Sequence, residues 1–415
     1  MAHDVLVLGA GMVGVSCALH LQQRGYDVAL LDRREPGEET SYGNAGIIQR
    51  EAVHPYAFPR DIKTLLSVAG NRRLDVRYHP RAIPALASPL LRYYARSAPR
   101  AYAPIAAAYA SLIALSIDTH EALLDAANAR HLLGERGWLM LFRSDKQRDA
   151  AFVEADNLLA LGVNHRKLDA AQLRATEPAL RAELSGAVYW SDPLTVRDPG
   201  ALVKAYAALL FARGAAWHQG NAQTLRQTTE GGWQVDNQHG EAVKARQVVV
   251  ALGPWSPQLT GDFGYRPPLF VKRGYHQHFQ PVAGATPRHW MLDEERGYLV
   301  APMARGLRIT TGAELAHIDA PATPHQLRAV EQVARQLLPL GEAVEAEPWK
   351  GARPCMPDMK PVIGAVPGQR GMWCAFGHGH QGFTLGPATG MLLAEMMHGE
   401  RSSIAMEPFS PARRF

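Results

Sequence analysis

The spacing of apolar positions divides the chain into buried strands, amphipathic helices and polar loops. Residues 4–8 form a short apolar run, as a strand covered on both faces requires, and the glycine-rich stretch 9–14 follows at once. From Val13 to Arg24 the apolar positions, Cys17, Leu19 and Leu21 among them, recur at helical spacing, and Gly25 ends the helix. Residues 28–31 are a second apolar strand closed by Asp32. This is one compact βαβ unit. Residues 33–60 are rich in Gly, Pro and polar residues and read as a functional loop centred on Ser41-Tyr42-Gly43-Asn44-Ala45-Gly46.

Beyond that loop, 62–131 is mostly helical, interrupted by Pro80, Pro84, Pro89, Pro99 and Pro104. A strand at 138–142, helices at 145–161, 169–176 and 199–213, a strand near 215–218 and a small ribbon at 224–225 and 233–235 come next. The apolar strand 248–251 ends in Leu252-Gly253-Pro254-Trp255-Ser256. From 265 to 316 the pattern changes to antiparallel strands at 269–271, 275–279, 290–292, 298–300 and 307–311, with helices near 324–338 and 385–398. The expected fold class is α/β (α+β overall), a Rossmann-like dinucleotide-binding domain with an inserted antiparallel-sheet substrate domain. The first domain is expected in three pieces, 1–60, 193–262 and 350–415, and the second in two, 61–192 and 263–349.

The 415 residues favour two domains over a single core. With 20% charged residues the composition is that of a globular protein. A net charge of +5 fits anionic substrates or a peripheral visit to an anionic membrane face, but no Lys/Arg block is dense enough for nucleic acid. Cys17, Cys355 and Cys374 form no CxxC, so neither a disulfide framework nor a zinc site is expected, and no metal. The N-terminus does not read as a signal peptide, and the apolar stretch 105–117 falls short of a membrane span. A cytoplasmic location is expected, with contact at the inner membrane left open, as is a homo-oligomer.

In the glycine motif, Gly9 permits the tight turn, Gly11 lets backbone approach a pyrophosphate, and Gly14 allows close helix–strand packing. Asp32 stands where a carboxylate accepts ribose hydroxyls, which disfavours NADP. FAD is preferred over NAD on three grounds: the βαβ unit begins at residue 4, the 41–46 loop follows directly, and the distant apolar strand ends at Gly253. Near the other end, Gly351-Ala352-Arg353-Pro354 sets one cation in a Gly/Pro frame, and the turn Phe376-Gly377-His378-Gly379-His380-Gln381-Gly382-Phe383-Thr384 leads into an apolar helix. That combination suggests an anion clamp beside a loop that lets a ligand approach the backbone.

These motifs, together with Glu39-Thr40-Ser41-Tyr42-Gly43-Asn44-Ala45-Gly46, Val249-Val250-Ala251-Leu252-Gly253-Pro254-Trp255-Ser256, Pro357-Asp358 and Pro361-Val362-Ile363-Gly364, resemble the amino-acid-oxidising branch of the FAD-dependent oxidoreductases. That branch includes glycine oxidase, sarcosine oxidase and the bacterial D-amino acid dehydrogenases; the chain looks most similar to the last, and among them to D-hydroxyproline-type enzymes. The resemblance implies FAD held by Gly9, Gly11, Met12, Val13, Gly14, Asp32, Arg33, Ser41, Asn44, Ala45, Gly46, Gly253, Trp255, Gly379, Gln381, Gly382, Phe383 and Thr384. It implies that Arg353 and Tyr298 meet a substrate carboxylate. His380 occupies a position where glycine oxidase has an arginine, and His54, Tyr275 and His276 are weaker pocket candidates. His380 is expected to switch protonation near neutral pH.

The expected reaction is oxidation of a small D-amino or cyclic imino acid (D-alanine, D-proline, D-hydroxyproline), with electrons passed to a quinone or other carrier. The alternatives are an O2-using oxidase of glycine or sarcosine type, a nicotinamide-dependent dehydrogenase, and a non-catalytic FAD-binding subunit.

Overall fold

The computed structural model describes residues 2–71 and 73–415. Among these, an eight-stranded and an eleven-stranded sheet carry the fold. The first strand, His3–Leu8, runs parallel to Val28–Asp32 on one side and to Ala242–Val250 on the other. Ala216–Gln219 extends the sheet beyond Val28–Asp32. Met372–Phe376 lies parallel to the second half of Ala242–Val250, whose first half pairs antiparallel with Trp233–Asp236. Three distant stretches of chain thus meet in one sheet, as the apolar runs predicted. Ala242–Val250 begins six residues before the expected 248: its first half alternates buried Val243 and Ala245 with exposed neighbours, and only its second half is the continuous apolar run visible in the sequence.

In the eleven-stranded sheet the long strand Phe270–Pro281 pairs with Gly306–Thr310, Ala313–Leu315, Leu340–Ala343 and Trp349–Cys355. Two corrections follow. The expected strands 269–271 and 275–279 are one strand that passes through Gly274 without a break. The domain boundary at 350 falls inside Trp349–Cys355, so Arg353 stands on the second sheet. Strands His165–Asp169 and Gly186–Trp190 were missed; the first buries only Leu168 and shows no apolar alternation.

Alternation sorts the second sheet's side chains onto two faces. Leu139, Tyr275, Met291, Tyr298, Val300 and Ile309 pack on Leu327, Val330 and Ala334 of the helix His325–Leu337. The opposite face carries Lys272, Gly274 and His276, paired across the strands with Arg353, Gly351 and Trp349. The run Pro99–Ala126 is long and apolar enough, by length and composition, to cross a membrane, contrary to the expectation from 105–117. Here Ile105, Tyr109, Leu112, Ile113 and Ile117 of that run are buried within the fold.

Candidate active site

A cavity of about 1350 Å³ lies between the carboxyl ends of the first sheet's parallel strands and the Arg353 face of the second sheet. This exceeds the ~300–1,000 Å³ of ordinary small-molecule pockets and leaves room for a dinucleotide and a substrate together.

At one end Gly9, Gly11, Met12, Val13, Asp32, Arg33 and Ser41 line the cavity. Gly9 has φ +111°, and a Cβ there would lie 2.4 Å from the Ala251 carbonyl oxygen. The helix Met12–Gln23 has no cap from its own N-cap residue, Gly11, so the N–H groups that follow Met12 in its first turn remain available to an anion. The Met12 amide donates to Ser41 Oγ at 3.0 Å, which ties the loop to the glycine turn. The Asp32 carboxylate accepts the Ala10 amide at 2.7 Å, and burial pushes its pKa up. Arg33 binds Glu39 through Nη2 at 2.7 Å and lies 4.3 Å over the Trp255 ring, a planar shelf at the far end beside Gly253. Glycine turn, uncapped helix and ribose-facing acid together fit the dinucleotide portion of FAD.

The 41–46 loop is fastened from the second sheet. Arg308 donates to the Asn44 carbonyl at 2.6 Å and to His278 Nε2 at 2.9 Å, and Trp290 donates to the Ala45 carbonyl at 2.8 Å. Asn44 Oδ1 accepts the Gly46 amide at 2.8 Å; Gly46 closes this turn behind the lining. On the opposite wall the Gly379 amide donates to the Pro354 carbonyl at 2.7 Å, so the Arg353 strand and the 376–384 turn are directly linked. Gly382 and Phe383 open the helix Gly382–His398, again without a side-chain cap, and line the cavity. His120 Nε2 bonds the Phe383 carbonyl at 2.9 Å and His378 Nε2 bonds Thr389 Oγ1 at 2.8 Å. Burial lowers these two imidazoles to pKa values of about 4 and about 3, so both are neutral pins.

The remaining volume is bounded by Arg353, Lys272, His380, Tyr56, Tyr93 and Glu294. Arg353 donates to the Gly312 carbonyl at 2.6 Å and the Thr311 carbonyl at 3.1 Å, which uses two of its five N–H groups. Burial lowers its pKa, and among the described residues no carboxylate pairs with it. Asp358, the acid nearest in sequence, is taken by Arg413 at 2.8 Å. Lys272 stands opposite Arg353 across the strands, 4.6 Å from the Tyr93 ring centre, and also has no acid partner among the described residues. Two adjacent cations without counter-charge call for an anionic ligand.

Tyr56 is 64% exposed, but the surface it presents faces this cavity. Its ring lies 4.8 Å from that of His380. His380 is open to the cavity, and desolvation there, with Arg353 and Lys272 nearby, lowers its pKa to about 3, below the expected switch near pH 7. Burial first, and then the charges of Glu154, Asp75 and Asp293, raises the Glu294 carboxyl.

Gly274 explains how the guanidinium is seated. A Cβ there would lie 2.5 Å from Arg353 Nη2. Gly274→Ala is therefore expected to displace the guanidinium from Thr311 and Gly312 while the strand keeps its pairing. A rise in KM of about tenfold with flavin content unchanged is the expected reading of steady-state kinetics and absorbance.

Several expected residues lie elsewhere. Tyr298 borders the cavity, but its ring packs in the far-face cluster with Tyr275; alternation turns Leu299 inward instead. Tyr275 also borders the cavity, but its hydroxyl is occupied by Glu314 at 2.8 Å and Arg273 at 3.1 Å. His276 faces the flavin side but stacks on Trp349 at 4.8 Å, outside the lining. His54 is exposed and off the cavity, because buried Val53 and Pro55 turn it outward. Gly14, Gln381 and Thr384 stand behind the wall: Gln381 Nε2 donates to Gln49 Oε1, and Thr384 Oγ1 to the Ile47 carbonyl at 3.3 Å. Lys272, Tyr56 and Glu294 were missed; for Lys272 the signal was its period-two spacing with Gly274.

A family model described as FAD dependent oxidoreductase matches residues 4–396. A D-amino acid dehydrogenase of Chromohalobacter salexigens is 30% identical over 414 residues, 97% of each chain. A D-amino-acid oxidase of Bradyrhizobium diazoefficiens is 31% identical, covering 99% of this chain and 98% of its own. Among solved structures, glycine oxidase from Geobacillus kaustophilus superposes with a TM-score of 0.76 at 21% identity, covering 100% of this chain and 99% of that one.

Proposed function

Because the chain belongs to the DAO family of FAD-dependent oxidoreductases, we propose that it dehydrogenates a small D-amino acid or cyclic imino acid, such as D-alanine, D-proline or D-hydroxyproline, and passes the electrons to a quinone or protein carrier. The observation that carries this reading is the uncompensated Arg353 guanidinium facing the cavity beside the dinucleotide site. The relatives' names, D-amino acid dehydrogenase and D-amino-acid oxidase, support the D-configuration and the amino-acid class.

Bound FAD supplies the redox chemistry, as acceptor of the hydride that leaves Cα. Arg353 holds the α-carboxylate through its free N–H groups, and with the substrate nitrogen held at His380 as a second anchor, one face of Cα turns toward the dinucleotide end. His380, neutral and at the cavity surface, accepts a hydrogen bond from the substrate nitrogen. Hydride loss requires an unprotonated amine. Once the carboxylate neutralises Arg353, Lys272 keeps the local potential positive and lowers the ammonium pKa. The uncapped amides at Gly382 and Phe383 face the cavity, where they stabilise negative charge.

The acid limb of the kcat profile then belongs to the substrate amine. Lys272→Met is expected to move that limb up by about one pH unit, while His380→Asn lowers kcat without moving it. Stopped-flow reduction across pH 5–10 reads both.

Product analysis tests the assignment. Incubation of the purified holoenzyme with each D-acid and a soluble quinone analogue should yield the 2-oxo acid from D-alanine and a cyclic imine from D-proline or D-hydroxyproline. Products from L-forms only would overturn it. Turnover with O2 alone that equals turnover with the quinone analogue would favour the oxidase reading, which the oxidase-named relative supports.

A further inference from the structure

The helices Ile62–Ala69 and Ile83–Arg96 stand over the cavity, and their outer surface carries the three most exposed large apolar side chains among the described residues. Ile62, Leu66 and Leu91 are 73%, 69% and 70% exposed. No residue of Ile62–Ala69 is buried in the core: Leu65 and Val68 turn to the cavity, while Ile62 and Leu66 turn outward. A surface helix that is apolar on both sides needs cover that the described residues do not provide. Arg60 lies 4.0 Å over the Tyr94 ring, so the start of the first helix adjoins the part of the second that carries Leu91.

Charge identifies the cover. Residues 54–102 contain nine Lys/Arg against Asp61 and Asp75, a surplus of seven, whereas the whole chain has only +5. The remainder of the chain is therefore net negative, and the basic character is concentrated here. Arg60, Lys63, Arg81, Arg92 and Arg100 are exposed, and none takes part in an ion pair among the described residues. Lys63 and Arg92 directly follow Ile62 and Leu91 in the chain.

We propose that this surface docks on an anionic lipid bilayer, with Ile62, Leu66 and Leu91 entering the headgroup region and the surrounding cations meeting lipid phosphates. Apolar tips rimmed by cations suit a deformable, uniformly anionic bilayer, whose acyl region can also fill the shallow apolar groove between Phe58, Ala87, Leu90, Leu91 and Tyr94 on this face. Docking in this orientation sets the cavity's lid at the bilayer, where a lipid-soluble electron acceptor resides; that clause alone rests on the function proposed above.

Co-sedimentation of the full-length holoenzyme with vesicles tests the surface independently of catalysis. Vesicles of phosphatidylglycerol and phosphatidylcholine in equal parts should bind the protein at least tenfold more tightly than phosphatidylcholine alone, and added salt should weaken binding. Leu66→Ser or Leu91→Ser should reduce binding about tenfold, and the Lys63→Gln/Arg92→Gln pair by a comparable factor or more, with flavin content and turnover on a soluble acceptor unchanged. Equal binding to both vesicle types, no binding, or full binding by these variants overturns the proposal. So does light scattering that shows a concentration-dependent dimer lost in Leu66→Ser, which would assign the surface to a second copy.

Discussion

Arg353→Met is expected to lower kcat/KM by about 10²–10⁴-fold while the purified protein stays yellow. The figure follows from removing one partner of a buried, desolvated charge pair, a change that costs about 3–5 kcal/mol. Among the described residues Arg353 is held by the Thr311 and Gly312 carbonyls and by no acid, so its removal strands no buried carboxylate there and folding should survive. Arg353→Lys should recover part of the loss, because a point charge keeps the attraction but not the two-pronged fit to a carboxylate. The diagnostic comparison is with the decarboxylated amine corresponding to the substrate. Wild type should discriminate strongly against it, and Arg353→Met hardly at all. An Arg353→Met variant with normal kcat/KM would remove the carboxylate anchor from the account.

Gly14→Ala is expected to abolish flavin binding. A Cβ at 14 would lie 1.8 Å from the Gly9 carbonyl oxygen and 2.9 Å from its carbon. Both are backbone atoms of the turn beneath the pyrophosphate site, and Gly9 is itself held against Ala251. No side-chain movement relieves that clash. The helix must lift from the strand, which costs on the order of 1–3 kcal/mol or more and misplaces the N–H groups that would meet the phosphates. The purified variant should be colourless, and its Tm should fall by several degrees, partly from strain and partly from the lost stabilisation by ligand. Added FAD should restore neither colour nor Tm. A yellow variant with wild-type Tm would mean that the turn is not the cofactor's seat.

The dinucleotide half was legible because its signals are local. Strand, glycine turn, helix and Asp32 lie within thirty residues, and each glycine has its own steric reason. Arg353 was legible through its Gly/Pro frame. The substrate half was harder, because a strand's register and inward face depend on pairing across the sheet. Tyr298 and Leu299 are neighbours in sequence, and only the pairing of Leu299 with Thr310 decides which one turns toward the cavity. Gly274 looked like a strand break until its role as the slot for the Arg353 side chain was visible. Lys272 is one of eight lysines in the sequence, and becomes distinctive only through its register opposite Arg353. His380 stood out by position, but its lowered pKa comes from the cavity around it and two nearby cations, neither of which sequence spacing encodes.

The account's central claim is that Arg353 presents one face of a carboxylate-anchored D-acid to the flavin. Anaerobic stopped-flow absorbance at the flavin band, with D- and L-proline and D- and L-alanine in parallel, tests it most directly. Rapid bleaching by at least one D-form, absent with its L-enantiomer and slowed at least a hundredfold in flavin-replete Arg353→Met, is the predicted result. Bleaching by L-forms alone, or bleaching that proceeds equally well without Arg353, would contradict it.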